Sequence, residues 1–559
     1  MLIVGGYGTF GGRLARLLGD ADGLAVLIGG RSLERAQTFC SRERNGALEA
    51  VRFDRDAPLE HQLGALAPQI VVDASGPFQS YGERPYRLVE ACIECGIHYL
   101  DLADSAAFVC GIDRFDERAR EQGVFVLSGV SSFPVLTSAA VRLLSAQMSR
   151  VERICGGVAP SPFANVGLNV IRAIAGYAGK PVRLPADQRV AHPFTETRRY
   201  VIAAPGCVPL RPIDFSLVDV PDLQLLASLW PECRSVWMGA GPVPALWHRL
   251  LRALAWLVRL RVLPSLSWLA APMYRATNAL SWGEHRGGMF VRVEGSDVSG
   301  KRLACSWHLI AEGDAGPFIP SMAAEAIIRK CLAGAGPAIG ARPAVRELEV
   351  ADYEPLLSRH GIRTGVRDET PASLRDPSLY RGILGHSFDS LPQTLRSMHS
   401  VTTSMAAAGR ADVTRGTGWL ASLVALVVGF PQAGKDVPVE VRFDLANRGG
   451  PNETWTRRFG NRSFASEQFA GSGAFERLVC ERFGPITLAL ALTVDAGRLS
   501  LHVRGWTLFG LRLPRALAPQ CDAHEFERDG RFHFDVAIRH RWTGLIVHYR
   551  GWLVPAADV

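Results

Sequence analysis

No uncharged apolar run in this 559-residue chain reaches the roughly 18 residues needed to cross a bilayer. The longest candidates, Gly418 to Phe430 and Val262 to Tyr274, fall short. Blocks of like charge are missing as well. The 62 Lys+Arg and 54 Asp+Glu leave a formal charge of +8, dispersed along the chain. That is too dilute to indicate a nucleic-acid partner. Paired cysteines are scarce. The 11 cysteines are scattered from Cys40 to Cys521, and the C-x-x-C at Cys92 and Cys95 has no second pair. Two thiols on a helix are the simplest reading, with redox or metal work as the alternative. Leu2 already starts a strand-like run into glycines, so no secretory leader is expected. The expected setting is a reducing cytoplasm, with association on the cytoplasmic face of a membrane left open. Hydrophobic residues make up 48% and charged residues 21%, which excludes wholesale disorder. The length predicts about three domains.

What is present begins at once. Leu2-Ile3-Val4 reads as a short buried strand. It runs into Gly5, Gly6, Tyr7, Gly8, Thr9, Phe10 and Gly11, a G-x-G-x-x-G at Gly6, Gly8 and Gly11. A helical pattern with Leu14, Leu17 and Leu18 on one face follows. Between a strand and a helix, this spacing is a dinucleotide-binding fingerprint. Gly6 is expected to make the tight turn, Gly8 to let backbone approach a pyrophosphate, and Gly11 to let helix pack on strand. The helix N-terminus would offer free N–H groups to the phosphates.

The second strand, Leu24 to Ile28, ends in Gly29-Gly30-Arg31-Ser32. An NAD site usually carries an acid here, bonded to the ribose 2′-OH. A guanidinium pairs instead with a 2′-phosphate, so Arg31 and Ser32 predict NADP(H). Further strands are expected at Val51 to Asp54, Ile70 to Ala74, His98 to Leu102 and Val124 to Leu127. Asp54 would face the adenine. Strands alternating with helices predict an α/β Rossmann fold with a doubly wound parallel sheet. Ligands bind outside the carboxyl ends of such strands. The loops at Gly5–Gly11, Arg31–Ser32, Ser75–Tyr81, Asp101–Asp104 and Gly129–Pro134 would share that edge.

These loops also carry a resemblance. The glycine loop, Gly30-Arg31-Ser32, Ala74-Ser75-Gly76-Pro77-Phe78 with Tyr81-Gly82, and Ala91 to Asp101 ending in His-Tyr-Leu-Asp together resemble the saccharopine dehydrogenase (saccharopine reductase-like) family over about 130 residues. The resemblance implies an NADP-binding domain with Ser75, Gly76, Pro77 and Phe78 beside the nicotinamide end. It also implies a second α+β domain that closes over the site and often mediates dimers. The match is not complete. A saccharopine site would need paired cationic groups, and the second domain is rich instead in Leu, Trp and Ala, so a lysine-pathway role is not expected.

The expected domains are 1–130 (Rossmann), 131–355 (α+β, substrate and dimerisation), a linker over 356–385 broken at Thr370-Pro371 and Asp376-Pro377, and 386–559 (mainly antiparallel β). In the second domain, Met289 to Glu294 and Lys301 to Ile310 read as a hairpin. The excursion at 242–275 sets Trp247, Leu250, Leu251, Leu254, Leu257 and Val258 at helical spacing among arginines. It is either a buried hairpin or dimer contact, or a face for a membrane or a lipid-like substrate. In the third domain about nine alternating runs predict a sheet or partly closed barrel. Its segments Trp455 to Gly460, Glu481 to Gly484 and Gly544 to Leu553 resemble a bacterial domain of unknown function found fused to such chains. His524, His533, His540 and His548 lack zincin spacing, so surface or pocket histidines are expected rather than a metal site.

The reading that follows is an NADP-dependent oxidoreductase with a small-molecule substrate of apolar or lipid-like character. Tyr81 is the candidate proton donor, with Asp101 and Asp104 at the end of the next strand to orient it or hold the ribose. The alternative is a non-catalytic NADP-binding protein whose β-rich domain carries a hydrophobic ligand or partner.

Overall fold

The computed structural model describes residues 1–43, 48–370, 378–401, 404–445 and 452–556. The first sheet has seven strands among the described residues. Six are labelled here: β1 (Leu2–Val4), β2 (Val26–Gly30), β3 (Leu48–Arg52), β4 (Ile70–Asp73), β5 (His98–Asp101) and β6 (Phe125–Ser128). Gly340–Pro343 adds the seventh beside β6. The order from that strand is β6-β5-β4-β1-β2-β3, all parallel. Leu2, Ile3, Ile28, Val71, Val72 and Leu100 are fully buried, as a sheet covered on both faces requires. The strand order reverses between β1 and β4, so a crevice opens beyond their carboxyl ends.

The second sheet is mixed. Arg150–Ala159 is central, parallel to Ser235–Ala240 and antiparallel to Arg286–Ser296. The expected hairpin is present as Arg286–Ser296 paired with Arg302–Glu312. Phe215, Trp237, Phe290 and Trp307 are buried there. The excursion forms two helices, Ala245–Arg259 and Ala270–Ala279. The face read from the sequence divides. Leu251, Ala255 and Val258 turn inward, while Leu246, Leu250, Trp256, Leu257 and Leu260 are exposed.

The C-terminal strands close completely. Ten of them run antiparallel from Ile486–Asp495 round to Arg498–Leu508, and those two pair with each other. The alternation of Val439, Val441 and Phe443, and of Phe532 and Phe534, puts these residues into one core. Helices Leu379–Leu384 and Gln393–Met398 add Tyr380, Leu384, Leu395 and Met398 to it. Closure pairs each of the ten strands on both sides, and the two-residue strand Leu511–Arg512 alone adds a short edge among the described residues.

Compact units divide the chain differently from the expected boundaries. One comprises 1–199 with 213–363, and the other 200–212 with 364–559. The stretch expected as a linker holds the end of helix Val350–Arg359, strand Arg363–Asp368 and helix Leu379–Leu384. Pro371, Asp376 and Pro377 lie outside the described residues. All 11 cysteines are free thiols, with Cys92 buried and Cys95 exposed. Among the described residues no group of His, Cys, Asp or Glu is arranged to hold a metal. His524 pairs with Asp522 and His548 with Asp535, while His533 stacks on Phe526 and His540 lies against Trp542.

Polar groups inside the barrel are paired, both between strands and from helix to strand. Arg457 lies 2.9 Å from Glu481, which also accepts from Ser466 at 2.7 Å. His399, fully buried, lies 2.6 Å from Glu525. Removing one member of such a pair strands a buried charge, which costs about 3–5 kcal/mol. Glu481→Ala is therefore expected to lower the unfolding free energy of the C-terminal unit, measured by urea titration, by that amount. A change below about 1 kcal/mol, the range of a surface pair, would contradict the assignment.

Candidate active site

Helix α1 (Thr9–Leu17) starts directly from the glycine loop, with Gly8 at its N-cap and no side chain capping it. The amides of Thr9, Phe10 and Gly11 therefore lack partners within the helix and supply an anion cradle. The left-handed residue of the turn is Gly5 (φ 74°), not Gly6 as expected from the motif. A Cβ on Gly5 would lie 2.9 Å from Ser75 Cα, so the loops after β1 and β4 meet backbone to backbone. Gly11 has the role expected of it: a Cβ there would collide with the Gly5 carbonyl.

Tyr7 reaches across to the end of β2. Its ring fills the space a Cβ on Gly30 would need, and its Oη accepts the Ser32 N–H at 3.3 Å. Arg31 is exposed just beyond. Ser32 caps helix α2 (Leu33–Arg42), its Oγ accepting the Arg35 N–H at 3.3 Å. Arg35, which the motif did not single out, lies 5.0 Å over the Tyr7 ring and brings a second guanidinium to this loop. The i, i+4 spacing from Arg31 was the available signal. Asp54 stands after β3, its Oδ1 accepting the Asp56 N–H at 3.1 Å.

The loop after β4 is organised by Asp73, which is buried. Its Oδ1 accepts from Ser75 N (2.9 Å) and Ser75 Oγ (2.6 Å), and its Oδ2 accepts from Tyr81 Oη at 3.1 Å. Ser75 Oγ and Tyr81 Oη are 2.9 Å apart. The Arg55 guanidinium lies 3.0 Å over the Tyr81 ring. Burial first, then the Asp73 carboxylate, push the Tyr81 hydroxyl far above the phenol range, against the opposing pull of Arg55 and Ser75. Tyr81 is thus tied to the Ala74–Phe78 loop as a brace, its hydroxyl engaged with Asp73 and Ser75.

Asp101 is also placed otherwise than expected. It is fully buried, and its Oδ1 accepts from Ala103 N, Ser128 Oγ and Gly129 N at 2.8–3.0 Å. It joins the ends of β5 and β6 instead of lining the edge. Asp104 does line it. Partly buried, it accepts from Gln79 Nε2 at 3.0 Å through Oδ1. Burial pushes its carboxyl above the usual range, more than Gln79 lowers it.

The second sheet's segment contributes residues that sequence spacing did not identify. Asn169 Nδ2 donates to the Gly76 carbonyl at 2.9 Å. Arg13 donates to the Ala164 carbonyl at 3.1 Å, and Gly167 abuts the Thr9 side chain. Asp219 and Tyr177 lie within the field of Asp104; burial and then Asp104 raise the Asp219 carboxyl. The segment 164–169 therefore borders both the glycine loop and the Gly76–Phe78 loop.

Residues 1–127 match the family model described as saccharopine dehydrogenase NADP binding domain, and residues 391–553 match a domain of unknown function, DUF4166. No curated protein matches the chain. Among solved structures, apo saccharopine dehydrogenase (L-Glu forming) from Saccharomyces cerevisiae is 13% identical, with 66% of this chain and 99% of that chain covered and a TM-score of 0.46. A mutant meso-DAP dehydrogenase from Clostridium tetani is 14% identical, with 67% and 98% covered and a TM-score of 0.32. Biliverdin reductase from Synechocystis, solved with biliverdin and NADP+, is 11% identical, with 60% and 91% covered and a TM-score of 0.28. The chain thus joins a saccharopine dehydrogenase-type nicotinamide-cofactor domain to a DUF4166 domain. The former supports an NAD(P)-dependent oxidoreductase.

Burial pushes Asp101 up to about 7 from an ordinary 3.8, against the donors that favour its charge. A carboxyl raised in the folded state gives stability that is present at low pH and lost as pH rises toward the folded value. Asp101→Asn keeps an acceptor and removes the titration. Between pH 4 and 7 the parent should lose stability relative to this variant, measured as thermal midpoints. Parallel midpoint curves would refute the shift.

Proposed function

We infer that the chain is an NADP-dependent oxidoreductase acting on an apolar or lipid-like small molecule. The observation that carries this is the uncapped α1 N-terminus at the β1/β4 reversal, with Arg31 where an NAD site would set a carboxylate. When bound, the cofactor supplies or accepts a hydride. The amides of Thr9, Phe10 and Gly11, in the loop Gly5–Gly11, hold the diphosphate. Arg31 and Ser32 hold the 2′-phosphate, and Asp54 borders the adenine. Ala74, Ser75, Gly76, Pro77 and Phe78 hold the nicotinamide end, braced by Tyr81 through Asp73. Asp104 is the candidate proton carrier: Gln79 donates to its Oδ1, and burial pushes its carboxyl above the usual range.

The substrate class rests on the surface at 245–282. Leu246, Leu250, Trp256, Leu257, Leu260, Trp268 and Trp282 are exposed there. No acidic residue occurs from Cys233 to Gly283, whereas Arg249, Arg252, Arg259, Arg261 and Arg275 do. An apolar face rimmed by arginines suits an amphiphile or a peripheral membrane contact. One observation favours the non-catalytic alternative: Tyr81 and Asp101, two of the three expected catalytic groups, are committed to internal hydrogen bonds.

Two measurements test the proposal. NADPH should bind more tightly than NADH, and Arg31→Ala should weaken NADPH about 10- to 100-fold, the worth of one charge-assisted contact, while sparing NADH. Equal affinities in the parent would refute NADP selectivity. Against a panel of enoyl, keto and imine substrates, Asp104→Asn should lower kcat at least about 100-fold, the usual worth of general acid catalysis, with NADPH affinity retained. Cofactor binding without turnover of any substrate would instead favour the binding protein.

A further inference from the structure

The C-terminal barrel carries a helix whose apolar side faces the wrong way for a soluble protein. Trp419–Val428 is ten residues long and contains no charged residue; the uncharged stretch runs from Gly416 to Gly434. Only the small residues Ala421 and Ala425, one turn apart, are buried. The large ones turn outward: Trp419 is 75% exposed and Val427 78%, with Leu420, Leu423 and Leu426 also exposed. An amphipathic helix in water has the reverse arrangement. The helix is nevertheless firmly seated. Gly416 N donates to Ile546 O, Phe430 N to Ala425 O, and Phe430 packs edge-to-face on Phe464 at 5.5 Å. At about 1.5 Å per residue it spans far less than a bilayer and can only lie at an interface.

Beside it is a cavity of about 350 Å³ lined by Arg415, Ser422, Ala425, Leu426, Phe430 and Arg462, among others. The lining includes two guanidiniums and no acidic residue. Arg415 is anchored by donating to the Phe430 and Pro431 carbonyls at 3.0 and 2.8 Å. Among the described residues neither arginine has a carboxylate partner. Two cations converging on a cavity beside an outward apolar face need an anion whose other end is apolar.

We propose that this part of the barrel is a membrane-interface site, in which Arg415 and Arg462 take the anionic head group of a bilayer lipid and the outward face of Trp419–Val428 enters the acyl boundary. Arginine heads at headgroup level with Trp and Leu below them match the chemistry of an anionic leaflet. The site is independent of the oxidoreductase reading, since it uses no residue of the cofactor domain.

The test is flotation of the full chain with phosphatidylcholine vesicles, with and without about 30% phosphatidylglycerol. Binding should require the anionic lipid. Leu423→Ser/Leu426→Ser/Val427→Ser, all at exposed positions, should cut the partition coefficient at least tenfold with circular dichroism unchanged. Arg462→Ala should weaken binding to anionic vesicles about fivefold, the worth of one basic residue near such a surface, whether or not the triple variant folds. Inorganic phosphate at matched ionic strength should not displace the protein. Absence of vesicle binding, or undiminished binding by Arg462→Ala or by the folded triple variant, would overturn the proposal. So would displacement by phosphate, which indicates a site for a soluble anion. Conversion of a dimer to monomer by the triple variant, with vesicle binding intact, would assign the face to a second copy instead.

Discussion

The N-terminal unit turns on one close approach, between the loop after β1 and the loop after β4. Gly5, at φ 74°, leaves the space where a side chain would strike Ser75 Cα. Ala74 N donates to Val4 O at 2.9 Å, and Gly5 N donates to Gly29 O at 2.9 Å, so β1, β2 and β4 end together. Because these strands run parallel and their crossovers leave in opposite directions, the ends cannot be roofed by their own helices. The crevice is therefore a consequence of strand order, and the glycines set how closely its walls converge. Everything assigned to cofactor binding hangs on those walls.

Buried carboxylates then hold the walls in place. Asp73 gathers two groups of Ser75 and the Tyr81 hydroxyl, while Asp101 gathers donors from Ala103, Ser128 and Gly129. Asp73 spends both oxygens on loop backbone and neighbouring hydroxyls, as a buried acid must; Asp101 does so through Oδ1, while its Oδ2 is buried without a hydrogen-bond partner among the described residues. The barrel follows the same rule with Glu481 and Glu525. Asp104 is held by fewer donors than these. Asp104 receives a single side-chain amide and keeps an oxygen for other use. Burial and then the Asp104 charge raise the Asp219 carboxyl beside it.

Local chemistry was legible in the chain; long-range chemistry was not. The glycine spacing, the strand alternation and Gly30-Arg31-Ser32 each act within about ten residues, so their placement followed from pattern. Closure of the barrel did not, because pairing of Ile486–Asp495 with both its neighbours is a matter of strand number and tilt. Asn169 reaching Gly76, and Arg13 reaching Ala164, join positions 93 and 151 residues apart. The hydrogen bonds of Tyr81 and Asp101 were not legible either: a residue at or beyond a strand's carboxyl end can face the crevice or turn back into the loops, and residue type does not say which. The buried donors around them decide it.

The same distinction governs charge. A total of +8 spread over 559 residues reads as dilute, yet distribution matters more than the sum. From Cys233 to Gly283 arginines occur without a single acid. From Gly416 to Gly434 there is no charge, but Arg415 precedes the stretch and Arg462 is folded back beside it. In both places large apolar side chains are exposed on well-formed helices. Hydrophobic burial alone would have turned those side chains inward at about 25 cal/mol per Å², and in Trp419–Val428 alanines take the inward positions instead. Both regions thus pair exposed large apolar side chains with arginines and with stretches free of acids, a distribution the net charge does not reveal.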